Sequence, residues 1–208
     1  MKLVMFDYDG VIMDTFAFTR KIYKELGEEF KVKIPDDDAY LRELLELDWR
    51  ETLRKLNIVT EEQIERNIRI FKAGLKKYSP LIKPYPGIPE ALKALSARYK
   101  LAVVTNNFKS ELNYRLGKYK LSGYFNGYFA EDDGELKPKP DLLLKCLKKF
   151  DVSPEEAIYI GDMDGDIIAG RAAKVKTVAV TYGFHHKNRL KDADIIVDSP
   201  RELLALLN

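Results

Sequence analysis

The 208-residue chain is 46% apolar and 33% charged, enough for a buried core in one or two domains. Its 35 basic and 33 acidic residues leave a net charge of +2, which offers nucleic acid no basic footprint. No apolar run approaches the roughly 18 residues needed to span a bilayer. Acidic Asp7 follows the short apolar start at once, which is not the build of a signal peptide.

The chain opens on Lys2-Leu-Val-Met-Phe6, a short apolar run that reads as a buried strand and stops at the turn Asp7-Tyr-Asp-Gly10. From about Thr15 to Ser79 no convincing strand follows. Thr60-Glu-Glu-Gln63 is a capping box, and Ile64, Ile68, Phe71, Leu75 and Tyr78 after it keep the helical period. The return segment Ser79–Gly87 is dense in Pro and Gly and marks a boundary.

Beyond it, strand-like runs (Leu101–Thr105, Ala157–Gly161, Thr177–Thr181, Asp194–Asp198, and a weaker aromatic one at Tyr124–Ala130) alternate with helical patterns over 88–98, 110–119, 140–150, 166–173 and 200–207. Ser153-Pro-Glu-Glu156 and Ser199-Pro-Arg-Glu202 have the form of capping boxes with Pro at the first helical position, and each predicts a helix start. Continuous apolar strands alternating with helices predict an α/β fold, a Rossmann-like doubly wound parallel sheet. The predicted core is residues 1–14 and 80–208, with 15–79 inserted as an α-helical cap domain.

Polar residues gather where strands end. Asp7 and Asp9 follow the first strand, Thr105 and Asn106 end the Leu101 run, and Asp162, Asp164 and Asp166 follow the Ala157 run. Lys137 lies in a loop before a helix. In a parallel sheet all strand carboxyl ends share one edge, so these residues converge there. Like charges about 4 Å apart repel by roughly 4 kcal/mol at an effective dielectric of 20. A hard cation removes that penalty, and magnesium suits a few carboxylates with a phosphate oxygen. With Lys137 adding positive charge, such a site fits a dianionic phosphate. The cluster from Asp162 does not make an EF-hand loop: Ile167 stands at position six instead of Gly, and Ala173 at position twelve instead of Glu.

Taken together, the motifs resemble the haloacid dehalogenase superfamily, in its phosphatase branch with a helical cap, the phosphoglycolate phosphatase-like group. Asp7-Tyr-Asp-Gly-Val11 with Asp14-Thr15 is similar to the first family motif, Thr105 to the second, Lys137 in Lys-Pro-Lys-Pro140 to the third and Gly161-Asp-Met-Asp-Gly-Asp166 to the fourth. Met163 departs from the small hydroxyl residue usual there. The resemblance implies a Mg2+-dependent phosphatase acting on a small phosphorylated metabolite through an aspartyl-phosphate. Asp7 would be nucleophile and metal ligand, and Asp9 general acid then base, its main-chain carbonyl on the metal. Thr105 and Asn106 would hold phosphoryl oxygens and Lys137 would neutralise charge. Asp162 would bind the metal, with Asp166 supporting it.

Three rival readings use the same fold. A dehalogenase would need no magnesium and no Asp9, a phosphosugar mutase would share all four motifs, and a non-catalytic phosphate-binding protein would be expected to lack Asp7. In the inserted helices, Arg50 beside Trp49 could reach a distal anion of the substrate or be a solvated helix residue. Asp36-Asp-Asp38 reads as a helix N-terminus, and His185-His186 as surface or local packing. Cys146, the single cysteine, sits in an apolar stretch and reads as a buried thiol. It suits a reducing compartment, so a cytoplasmic location is expected. Abundant Lys and Glu with one glutamine, Gln63, lean toward a thermophilic source. No membrane partner is expected, and monomer and homodimer remain equally open.

Overall fold

The computed structural model describes residues 1–207. The strands are β1 (Leu3–Phe6), β2 (Met13–Asp14), β3 (Lys83–Pro84), β4 (Lys100–Val104), β5 (Gly127–Phe129), β6 (Ala157–Gly161), β7 (Lys176–Val180) and β8 (Ile195–Val197). Six of them form one parallel sheet in the order β5-β4-β1-β6-β7-β8. The helices are α1 (Phe16–Phe30), α2 (Asp38–Leu44), α3 (Trp49–Lys55), α4 (Glu61–Lys77), α5 (Ile88–Ser96), α6 (Lys109–Lys118), α7 (Asp141–Phe150), α8 (Asp164–Ala172) and α9 (Pro200–Leu207).

β1 is central because it can be buried on both faces. Its register pairs Leu3 with Lys100 on one side and with Ala157 on the other. Successive side chains alternate across the sheet. Val4 and Phe6 pack with α5, α6 and α9, while Leu3 and Met5 pack with α7 and α8. The two faces account for the predicted doubly wound sheet. The chain moves from β1 outward through β4 and β5, then crosses to β6, β7 and β8. The strand order therefore reverses at β1, and the crevice at its carboxyl end is the natural ligand position.

The helices α1–α4 fall between β1 and β4. Thr60 and Gln63 make the reciprocal capping bonds at the start of α4, 3.3 Å and 3.0 Å. α1 and α4 approach closely because Gly74 has no side chain: a Cβ there would lie 2.1 Å from Ile22 Cδ1. Phe18 and Phe71 meet edge-on across the same contact, centroids 5.6 Å apart. Asp37 caps α2 by accepting the Tyr40 N–H at 2.8 Å, which places the acidic triplet at a helix start. The outgoing and returning chains are tied by β2 and β3, an antiparallel pair too short to register as periodicity.

Two local expectations need correction. Ser153–Glu156 starts no α-helix but a single 3-10 turn over Pro154–Glu156. Ala157 must already be extended to pair with Leu3, so the helix cannot propagate. The aromatic run at 124–130 yields strand only over Gly127–Phe129, with Tyr124 in the preceding turn. Ser199 does cap α9, accepting the Glu202 N–H at 3.2 Å. Cys146 is fully buried, on α7.

Arg115 of α6 is almost wholly buried and pairs with Glu111 one turn earlier. Its guanidinium also donates to Ser79 O and Oγ, both at 3.1 Å, which ties α6 to the chain leaving α4. Removing one partner of a buried pair costs about 3–5 kcal/mol because the other charge is left stranded. Arg115→Met should therefore lower the thermal midpoint by roughly 6–20 °C, at about 2–4 °C per kcal/mol for a chain of this size. Glu111→Leu in the same chain should restore most of the loss; an Arg115→Met midpoint within 2 °C of wild type would show that the pair does not hold this junction.

Candidate active site

Each predicted site residue sits where an element ends. Asp7 follows β1 and donates its main-chain N–H to Ile160 O at 2.8 Å. The turn that follows closes on Tyr8 O, which accepts from the N–H groups of Ile12 and Met13. Gly10 has φ +75°, and a Cβ there would lie 2.0 Å from Asp162 Oδ2. Glycine at this point therefore serves both the left-handed turn and the approach of Asp162.

Lys137 is fully buried, and its ammonium sits among oxygens. Nζ lies 2.9 Å from Asp7 Oδ1, 2.7 Å from Asp166 Oδ1 and 2.6 Å from the Tyr159 hydroxyl. Burial alone would lower its pKa, but Asp166 and Asp7 outweigh it and hold the ammonium above its ordinary range. The loop carrying it is clamped by Asn106, whose Nδ2 donates to Lys137 O and whose Oδ1 accepts the Lys137 N–H, both at 2.8 Å. The Asn106 side chain thus positions Lys137.

The carboxylates differ in what they already bind. Asp166 is saturated: Oδ1 accepts from Lys137 and from Tyr159 at 2.8 Å, and Oδ2 accepts the Met163 and Asp162 N–H groups at 3.1 and 3.3 Å. Its bond to the Met163 N–H is the N3-to-N-cap half of a capping box; methionine at the N-cap has no oxygen to supply the other half. Asp162 Oδ2 accepts the Phe184 N–H at 2.6 Å, while its buried Oδ1 has no hydrogen-bond partner among the described residues. Burial, then the neighbouring Asp166 and Asp7, push the Asp162 carboxyl well above its usual range. Burial also raises Asp7, to about 7, against the pull of Lys137.

Oxygens of Asp7, Asp162 and Asp166 lie within 4.8 Å of one another. Three carboxylates thus face one ammonium in a buried cluster, with one oxygen unpaired. That donor set is hard, anionic and under-neutralised, and it fits a divalent cation bound through oxygen.

Asp9 is partly buried and raised by burial, and its Oδ2 accepts from Asn107 Nδ2 at 2.8 Å. Asp7, Asp9, Thr105 and Asn106 line one cavity of about 220 Å3 that continues between α1, α3 and α4. Arg50 is not among its lining; its guanidinium stacks 4.5 Å over the Trp49 ring, and Trp49 itself lines the cavity.

Asn107 and Tyr159 had no sequence signal, while His185 had one. Asn107 is one residue beyond the motif it serves. Tyr159 is an apolar-looking position inside β6. His185 is completely buried, accepting the Asp164 N–H on Nδ1 at 3.1 Å and lying 3.0 Å from Leu45 O through Nε2, so it donates there as the neutral tautomer. Burial lowers its pKa accordingly. It packs locally, as one of its two expected readings had it.

Comparison with known proteins agrees with this geometry. The family model of haloacid dehalogenase-like hydrolases matches residues 4–180. Phosphoglycolate phosphatase of Aquifex aeolicus is 34% identical, covering 100% of this chain and 97% of its own. N-acetylmuramic acid 6-phosphate phosphatase of Pseudomonas aeruginosa is 30% identical over 100% and 95%. A phosphorylated carbohydrates phosphatase of Thermotoga maritima is 29% identical over 100% and 98%. Among solved structures, a haloacid dehalogenase-like family hydrolase from Streptococcus pneumoniae superposes with TM-score 0.86 at 22% identity, covering 100% of this chain and 99% of that one. With its motifs, its sheet order and this match over most of its length, the chain belongs to the haloacid dehalogenase-like hydrolase family.

Proposed function

We propose that the chain is a magnesium-dependent phosphatase that cleaves a small phosphate monoester through an aspartyl-phosphate on Asp7. The observation that carries this reading is the Asp7 carboxylate at the sheet's switch point. It is paired with Lys137 at 2.9 Å and shares a short turn with a second carboxylate, Asp9. The relatives named as phosphatases of phosphoglycolate, phosphosugars and N-acetylmuramic acid 6-phosphate support a small phosphorylated metabolite as substrate.

An Asp7 oxygen attacks phosphorus as the bond to the leaving oxygen breaks, and Asp9 gives that oxygen its proton. Asp9, now a carboxylate, takes a proton from water as the water oxygen attacks phosphorus. The Asp7–phosphorus bond breaks, and inorganic phosphate and free Asp7 result. Asn107 holds the Asp9 carboxyl for both transfers. Lys137 offsets charge beside Asp7, and the Thr105 hydroxyl and Asn106 main-chain N–H face the phosphoryl oxygens. Asp7, Asp162 and the Asp9 main-chain carbonyl would hold magnesium, braced by Asp166. There it would neutralise the carboxylates and withdraw charge from the phosphoryl oxygens.

Residues 15–79 act as a cap over a core of 1–14 and 80–208, excluding water from the reacting atoms. No described helix is long and apolar enough to cross a membrane. The single buried Cys146 suits the reducing cytoplasm.

Phosphate release from p-nitrophenyl phosphate should require magnesium and stop in excess chelator; undiminished release in chelator would remove the metal from the mechanism. Asp9→Asn should still let p-nitrophenyl phosphate phosphorylate Asp7, because nitrophenolate leaves without a proton. Water attack would lack its base, worth about 10²–10⁴-fold. Rapid mixing should then show a nitrophenolate burst near one equivalent before a slow steady rate, while an alkyl phosphate is hardly attacked. Equal loss on both substrates with no burst would withdraw the acid–base role.

The metal site also predicts a stability effect of definite sign. Asp162 has a raised pKa in the fold, so its charge costs nothing below the unfolded carboxyl value and increasingly more as pH rises through the folded one. Asp162→Asn keeps the acceptor for the Phe184 N–H and removes the stranded charge. Without metal, it should melt several degrees higher than wild type at pH 8, on the order of 1–3 kcal/mol. The gain should shrink toward pH 5, and magnesium should stabilise wild type but not the variant. Melting of the metal-free proteins across this range checks it; a variant less stable at every pH would contradict the charge argument.

A further inference from the structure

The far end of the cavity, away from Asp7, is built by the inserted helices, and its chemistry is one-sided. Phe18 and Tyr23 of α1, Trp49 and Leu53 of α3, and Ile68 and Phe71 of α4 supply its walls. Among the described residues no Lys, Arg or His lines it. The carboxyl groups that do, besides Asp7 and Asp9, are Glu46, Glu111 and Glu131.

The cations near these carboxylates are engaged outside the cavity. Arg115 pairs with Glu111; Lys55 pairs with Glu46, as does Arg189 at 3.0 Å. Arg50 stacks on Trp49, lies 3.9 Å from Asp48 and is near enough to Glu131 to act on its charge, without itself lining the cavity. A second anionic group on a substrate would leave water for a wall of carbons and carboxylates and meet no counter-charge. An apolar body pays no such cost and gains from burial.

Neutral polar residues interrupt the wall: Thr19 and Tyr23 of α1 and Asn67 of α4. Asn67 of α4 lines the cavity and is 8% exposed, and no residue among those described hydrogen-bonds its side chain. Its amide is available to one uncharged hydroxyl or carbonyl of a ligand. In size, an apolar cavity of about 150 Å3 takes up a benzene ring, and the whole cavity, including its end at Asp7 and Thr105, is about 220 Å3.

Building on the phosphatase reading, we infer that the leaving group is the alcohol of an uncharged, largely apolar body of about one ring, and that phosphate esters carrying a second anion are poor substrates. The reading thereby narrows the small metabolite to phosphate monoesters of neutral ring-bearing or branched alcohols. Compact anionic partners such as a carboxymethyl or second phosphoryl group fall outside it.

Binding tests this separately from turnover, because Trp49 is the one tryptophan of the chain and lines the cavity. Two non-hydrolysable isosteres, 3-phenylpropylphosphonate and 3-phosphonopropionate, should be titrated against the magnesium-loaded protein, following Trp49 emission and, in parallel, calorimetry. The phenyl compound should bind at least tenfold more tightly. Ile68→Arg places a cation on a half-exposed wall position and should cut that ratio at least tenfold.

A ratio below tenfold in wild type, tighter binding of the carboxylate compound, or a ratio unchanged by Ile68→Arg overturns the inference. Turnover reads the underlying function independently. If no ester releases phosphate while the phenyl compound still binds selectively, the phosphatase reading fails and the cavity's preference stands. If 2-phenylethyl phosphate and phosphoglycolate are both hydrolysed but the latter has the higher kcat/KM, the phosphatase reading stands and the preference fails.

Discussion

The ammonium of Lys137, buried among two carboxylates and a phenol hydroxyl from three separate elements, is the interaction on which the site depends. Asp7 ends β1, Asp166 opens α8 and Tyr159 lies within β6, and each reaches the same nitrogen within 3 Å. A buried cation with such partners cannot leave without stranding them, and a stranded buried charge costs about 3–5 kcal/mol. The loop holding Lys137 must therefore stay docked on the sheet edge, and Asn106 fixes it there through both main-chain groups. One positive charge does not balance three carboxylates, however. The site is rigid and still electrostatically incomplete, which keeps Asp162 Oδ1 unsatisfied and the cluster receptive to a further cation.

The same economy of polar groups joins the inserted helices to the sheet. The segment Leu45–Leu47 between α2 and α3 lies against the site, and its carbonyls are taken by core side chains. His185 donates to Leu45 O at 3.0 Å, and Asn106 to Leu47 O at 3.3 Å. Arg42 of α2 donates in the opposite direction, to Phe184 O at 2.7 Å and to Gly183 O. Phe184 also supplies the N–H that holds Asp162. A loop after β7 thus braces the acidic cluster and anchors the helices above it.

The sheet and its chemical residues were legible because two regularities reinforced each other. Apolar strands long enough to be buried ended in polar residues, and a parallel sheet has one edge for all such ends. Asp7, Asp9, Thr105, Asn106 and the Asp162–Asp166 run could be grouped on that basis alone, whereas Lys137, in a loop before α7, was joined to them by the resemblance of its Lys-Pro-Lys-Pro140 motif. What escaped notice lacked periodicity or composition. β2 and β3 are two residues each, Ser153 carries a capping signature that strand pairing at Ala157 overrides, and Tyr159 alternates as any core residue would. Arg50 was visible as a cation near a helix start, but only coordinates show that it stacks on Trp49 outside the cavity. His185 could have packed at the surface or inside, and only the fold places Asp164 N–H and Leu45 O on its two nitrogens.

The contacts that join the inserted helices to the core and the lining of the cavity share residues. Leu45, Glu46 and Leu47 line the cavity, while main-chain groups of the same stretch are held by His185 and Asn106. A typical hydrogen bond adds only about 0.5–1.5 kcal/mol net. The few bonds of this junction therefore amount to a few kcal/mol, a bias that a ligand filling the cavity can match through its own burial. Because the phosphoryl end is built from the sheet edge and the far end from α1, α3 and α4, the two ends can change independently. A substitution at Ile68 or Asn67 alters what is accepted without touching Asp7, Lys137 or Asp166. That separation gives a physical reason why relatives near 30% identity bear the names of phosphatases for such different esters.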